Sequence, residues 1–105
     1  RDCWEAHASE NAAVARYRQT VLVAFRSVED QLSTARALEA QEALRRIASE
    51  AADRTEEQIG NRYRSGIVNY TEVVTAQASA LAARRALIRV VVDRQVAAVT
   101  LVRAL

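Results

Sequence analysis

The chain contains no proline, no lysine and no methionine, and it has only two glycines, Gly60 and Gly66. Without proline, and with so few glycines, almost nothing interrupts a helix. With no methionine, the chain cannot start at its own initiator, so it is expected to be a piece of something longer or a processed product. Cys3 is the one cysteine, which excludes an intrachain disulfide and leaves the redox compartment open. Aromatics are equally sparse, at 5%. The most apolar stretch, around Ala86–Val92, is broken by Arg89, so no segment reads as a bilayer-spanning helix.

What is present in quantity is alanine, at 22 of 105 positions, within a chain that is 50% hydrophobic. Alanine is the best helix former and offers little surface to bury. It therefore gives little to a globular core but lets helices lie close along their length. The charge is nearly balanced, with 15 arginines against 13 acids for a net of +2. The acids are interleaved with the arginines, so a biased codon composition explains the arginine better than a phosphate-binding surface does, and no nucleic-acid partner is expected.

From about Asn11 to Arg64 the pattern predicts one helix. Val14, Val21, Val28 and Ala35 recur every seven residues, with Tyr17, Ala24 and Leu38 three later, the spacing of a helical seam. Leu22, Phe25 and Leu32 form a second stripe beside it, wider than a two-stranded coiled coil needs, and point to more than one neighbour. Glu42 with Arg46 and Glu50 with Arg54 stand four apart, acid first, the favourable order on an exposed face. The stop lies in residues 60–66. Arginines suit the negative helix end, and Gly66 suits the left-handed cap, with Ile67 expected to fold back on it. Gly60 reads as a kink or a tolerated glycine.

The returning helix is expected over about 69–105, after a turn at about 65–68. Asn69 is a good N-cap, and Glu72 three residues on completes a capping-box pattern. Val74, Leu81, Ile88 and Val102 then recur at heptad intervals with Gln95 as the polar interruption, and Val73, Ala80 and Leu87 run alongside. The β-branched run Val90-Val91-Val92 is read as helix because of its flanks.

The fold class is thus all-α, a long antiparallel helical hairpin, coiled-coil-like, turning near Gly66 and forming a single unit over 1–105. The first arm spans about 54 residues, or roughly 80 Å, and the second about 37, or roughly 55 Å. Folding back brings Leu105 level with about residue 27, which leaves Tyr17, Val21 and Phe25, together with Trp4, with little or nothing opposite them. Uncovered apolar surface of that kind marks an interface, so the chain is expected to self-associate through Tyr17, Val21 and Phe25 into a multi-helix bundle, a dimer of four helices being the simplest form.

Two segments go beyond a generic hairpin. The first is Tyr17-Arg18-Gln19-Thr20-Val21-Leu22 with Ala24-Phe25 and Val28-Glu29-Asp30-Gln31-Leu32. The second, and more specific, is the run from Arg62 to Gln77. In this order and spacing they resemble the C-terminal repeat of TolC-like outer membrane efflux proteins, nearest to the outer-membrane lipoprotein partners of resistance-nodulation-division pumps. The closing Leu101–Leu105 is also similar to that family. The resemblance covers about residues 10–105. It implies a homotrimer for the full-length protein, located in the outer membrane with this segment in the periplasm, and as partners a periplasmic adaptor and an inner-membrane pump. It further implies that Gly66 is the periplasmic tip, with Arg62 and Tyr63 before it and Asn69 and Tyr70 after it, at the adaptor contact. Glu72 matches an acidic position past the tip and is the candidate for a lumen constriction. The family usually has leucine where Thr71 stands and commonly aspartate where Thr75 stands, so Glu72 is without its second acid here.

No enzyme is expected, and no cofactor or metal. Glu29 and Asp30 are adjacent and do not face one another on a helix. His7 and Glu10 have ligand spacing but form a single pair near a helix end. Arg84, Arg85, Arg89 and Arg94 read better as a solvated, ion-paired face with Asp93 than as a phosphate stripe. Tyr63 and Tyr70 suit either partner anchoring or packing between the arms. The competing function is a soluble coiled-coil interaction or scaffold module.

Overall fold

The computed structural model describes residues 2–105, which form two helices: α1 over Asp2–Arg64 and α2 over Tyr70–Ala104. They fold back on each other in a rod of 95 × 18 × 15 Å. Its length is that of α1 alone, since the 63 residues of α1 at about 1.5 Å each give roughly 95 Å. The all-α hairpin expected from the periodicity is the fold.

The first helix does not wait for Asn11. Among the described residues it runs from Asp2 onward. No residue between Asp2 and Asn11 is a helix breaker, and the apolar periodicity that suggested the later start was a signal of packing, not of helix formation. Gly60 is neither a stop nor a break. It sits within α1, and a Cβ placed there would meet nothing.

The contact between the helices is a heptad seam. On α1, sheltering begins at Val28 and recurs at Gln31, Ala35, Leu38, Glu42, Ser49, Ala52, Glu56 and Ile59, in alternating steps of three and four apart from a skipped position at Arg45. This is the phase of the predicted seam. Everything described on α1 before Val28 is exposed. On α2 the sheltered residues in this phase are Val73, Ala76, Ala80, Ala83, Leu87, Val90, Ala97 and Leu101, with Arg94 in step and Ala86 and Val91 sheltered beside them. The predicted main stripe of α2 therefore faces away: Val74, Leu81, Ile88 and Val102 are all exposed, and the secondary stripe through Val73, Ala80 and Leu87 makes the contact. The reason is steric. Ala76, Ala80 and Ala83 on one helix and Ser49 and Ala52 on the other allow close approach, which a face of leucine and isoleucine would prevent. Ala80 is the most enclosed, at 1% exposure.

Each helix consequently carries a second apolar line on its far side. On α2 it is Val74, Leu81, Ile88, Val92, Val99 and Val102, and on α1 it is Leu44 and Ile47 flanked by Ala37 and Ala40. At about 3.6 residues per turn these lines lie nearly opposite the seam. A hairpin can bury only one side of each helix, so the other side is left uncovered.

Two ion pairs pin the register. Arg84 Nη2 donates to Asp53 Oδ1 at 3.0 Å. Arg94 Nη1 donates to Glu42 Oε2, while Arg46 Nη2 lies 3.4 Å from Glu42 Oε1 within α1. Glu42 thus keeps its predicted partner and gains a second across the hairpin. The bond and the charge of Glu42 push the Arg94 guanidinium further above its ordinary value, with a smaller push from Glu39. Arg84 and Arg94, considered together on sequence as part of one arginine face, are in fact turned toward α1. Continuing this register puts Leu105 level with about Gln31, close to the expected residue 27.

Candidate functional site at the hairpin tip

The chain reverses between Arg64 and Tyr70, and the local chemistry explains each step. Gly66 has φ +77, the left-handed region that glycine enters without a Cβ penalty. Its N–H donates to the Tyr63 carbonyl at 2.9 Å, and the Ile67 N–H donates to the Arg62 carbonyl at 2.9 Å. That pair of bonds is the Schellman arrangement, which satisfies the carbonyls left over at a helix end. The Ser65 N–H still reaches the Asn61 carbonyl at 3.1 Å in the last helical bond. The Arg64 guanidinium bonds the Asn61 side chain.

Ile67 does not fold back on the cap. It is 73% exposed. The side chains it would meet there, Asn61 and Arg62, are polar, so the apolar contact that often accompanies this motif has no partner. The result is an isoleucine presented at the apex of the rod.

Asn69 then caps α2 from an extended backbone, φ −85 and ψ 167, and its Oδ1 accepts the Glu72 N–H at 3.1 Å. Tyr63 and Tyr70, the last aromatic of one arm and the first residue of the next, stack across the turn with centroids 5.6 Å apart and planes tilted by 59°. A tilted pair at this spacing is worth about 0.5–1.5 kcal/mol beyond area burial. Packing between the arms is therefore present, and each ring keeps part of its surface exposed.

The tip divides two shallow grooves. One is lined by Thr55, Ile59, Arg62, Thr71, Glu72, Thr75 and Ser79, a hydroxyl-rich wall with one acid and one base. The other is lined by Glu56, Glu57, Tyr63, Arg64, Gln77 and Arg84, and is strongly charged. Glu72 lies on the first groove, exposed. The Thr75 hydroxyl donates to the Thr71 carbonyl at 2.9 Å within α2.

The structure gathers Arg62, Tyr63, Gly66, Asn69, Tyr70 and Glu72 at one end of the rod. Tyr17, Val21 and Phe25 lie far from them, exposed along the uncovered part of α1. His7 and Glu10 approach to 4.0 Å on the helix surface, and Cys3 is exposed. Among the described residues no group of three or more metal-ligating side chains is assembled, and no helix is long and apolar enough to cross a membrane. What sequence reasoning missed is the pairing across the hairpin, Arg84 with Asp53 and Arg94 with Glu42. The signal for the second pair was Glu42, an acid at a seam position of α1 that needed a cation opposite it.

A family model described as outer membrane efflux protein matches residues 5–105. The chain belongs to that family. Outer membrane protein OprJ of Pseudomonas aeruginosa is a curated relative, 34% identical over 100 residues that cover 95% of this chain and 21% of OprJ. The chain thus spans about a fifth of the length of this relative. No solved structure matches it. The family match runs through both helices and the tip, so the matched region includes the turn at Gly66 and the whole returning arm, not the seam alone.

Proposed function

We propose that this efflux-family chain is the periplasmic, tunnel-forming hairpin of an outer-membrane efflux channel subunit, and that its tip docks a periplasmic adaptor and contributes to gating. It performs no covalent chemistry. In the full-length protein the subunit assembles as a homotrimer and works with the adaptor and an inner-membrane pump. The observation that carries this reading is the tip itself: a glycine-capped reversal that holds Tyr63, Ile67 and Tyr70 outward at the end of a long rod. Exposed aromatic and aliphatic side chains on a rigid turn are what a partner protein anchors on. The apolar lines on both sides of each helix support it further, because a helix built into a wall touches a neighbour on either side. A free-standing scaffold hairpin would have no use for the second line.

The adaptor contact is tested by placing a photoreactive residue at Ile67 in the full-length protein. The expected result is a cross-link to the periplasmic adaptor, and none from the same group at exposed Leu44, midway along α1. An Ile67 probe that never captures the adaptor in cells with a working pump would overturn the docking role.

Glu72 is proposed to face the lumen at the constriction. A lone acidic ring gives a weak preference for cations. Glu72→Arg is therefore expected to shift the full-length channel toward anions in planar-bilayer recordings. Unchanged selectivity would put Glu72 on the outer surface.

A further inference from the structure

Two apolar lines of α2 compete for the side that meets α1. One, through Val73, Ala80 and Leu87, is turned inward. The other, through Val74, Leu81 and Ile88, stands one residue further along, about 100° around the helix, and is exposed. Two forces act on this choice in opposite directions. The small side chains of the first line let the backbones come close, whereas the larger ones of the second would remove more apolar area from water.

What separates the lines is the residue that each sets opposite Glu42. Glu42 occupies a seam position of α1, and its side chain is only 12% exposed. In step with Val73, Ala80 and Leu87 comes Arg94, whose guanidinium bonds one oxygen of the Glu42 carboxylate, while Arg46 lies 3.4 Å from the other. In step with Val74, Leu81 and Ile88 comes Gln95, a neutral amide. Turning the second line inward would carry the Arg94 guanidinium away and leave a largely covered carboxylate facing an amide across the hairpin. A bond between two charged groups is roughly twice as strong as a neutral one. The Asp53–Arg84 pair does not make this choice. Arg84 lies between the two lines, about 40° from the first, so it stays on the α1 side with either of them inward.

We infer that Arg94, acting through Glu42, is the positioning residue that selects which face of α2 packs on α1, and with it which apolar line is left outward. Its role is orientation more than stability. Desolvation offsets much of the attraction within a sheltered ion pair, whereas a packing that strips the acid of its cation is penalised heavily. The inference concerns the hairpin itself and does not rest on the channel reading.

The test exchanges two adjacent residues. Arg94→Gln with Gln95→Arg keeps composition and charge and moves the cation from one line to the other. The register that pairs Glu42 with Arg94 sets Ser49 level with Leu87, and a turned α2 would set Ser49 against Ile88. Ser49→Cys is therefore combined with Leu87→Cys in one variant of the full-length protein and with Ile88→Cys in another. Intrachain disulfide formation is followed by peptide mapping under mild copper–phenanthroline oxidation. With Arg94 in place, the thiol introduced at Leu87 is expected to link at least about tenfold faster than the one at Ile88, the ratio that a bond to a charged group sustains. With the exchange, the order is expected to reverse. Arg94→Lys keeps the cation and should keep the original order. Arg94→Gln alone offers Glu42 an amide from either line and should narrow the ratio by about tenfold. These two single substitutions decide the matter if the exchanged protein does not fold. Continued preference for Leu87 after the exchange would overturn the inference, as would equal ratios for Arg94→Lys and Arg94→Gln. The Ile67 cross-link is measured with Arg94 intact, so the two readings fail separately.

Discussion

Gly66→Val is expected to destabilise the chain by about 1–3 kcal/mol, the usual cost of holding a residue in a sparsely populated backbone region. The cost is purely conformational. A Cβ at Gly66 would meet nothing within 4 Å, so crowding contributes nothing and the penalty comes from φ +77 alone. That makes an ordered series possible. Asparagine tolerates the left-handed region and should cost least, alanine more, and β-branched valine most. Thermal unfolding followed by circular dichroism, at one fixed protein concentration, checks the order. Equal effects for all three would mean that the turn relaxes to another conformation. In the full-length protein the same substitution should lower pump-dependent drug resistance more than an equal change mid-helix, because it displaces Ile67, Tyr63 and Tyr70 together. Resistance that survives Gly66→Val unchanged would remove the tip from the mechanism.

Ala80→Leu is the second large effect. Ala80 is 1% exposed, and the register set by the Asp53–Arg84 pair puts it level with about Glu56 and Glu57 of α1. Adding three carbons there overpacks the seam, which costs typically about 1–3 kcal/mol. The helices must separate locally, and the Asp53–Arg84 pair, now 3.0 Å apart, should lengthen. Ala78→Leu is the control. Ala78 lies on the exposed far side of the same helix, where substitutions usually stay within about 0.5 kcal/mol. Similar melting temperatures for the two variants would show that the alanine face is not the contact, and that the predicted stripe through Val74 and Leu81 is.

That contrast shows where the sequence was legible and where it was not. Both helices were readable because alanine-rich runs without proline leave the backbone few alternatives. The reversal was readable from one glycine followed by one asparagine, and the structure places the left-handed residue and the cap there. The seam on α1 was readable too, because one face repeats in sevens from Val14 to Leu38. The seam on α2 was not. Two apolar faces of similar strength run along that helix, and periodicity alone cannot say which of them turns inward. The larger side chains of the face through Val74, Leu81 and Ile88 made it the stronger signal, yet close packing selected the face with the smaller ones.

Local chemistry, then, was settled by composition and spacing: where the helices run, where they turn, and that a long stretch at the start of α1 would find nothing opposite it. Rotation about the helix axis was decided only by tertiary structure. Once the Gly66 turn and the Asn69 cap fix how α2 leaves the tip, the faces that meet are those that let two backbones come close and let Glu42 find Arg94. A charge across a hairpin depends on register, and register depends on all of the seam contacts at once, which no short stretch of sequence encodes.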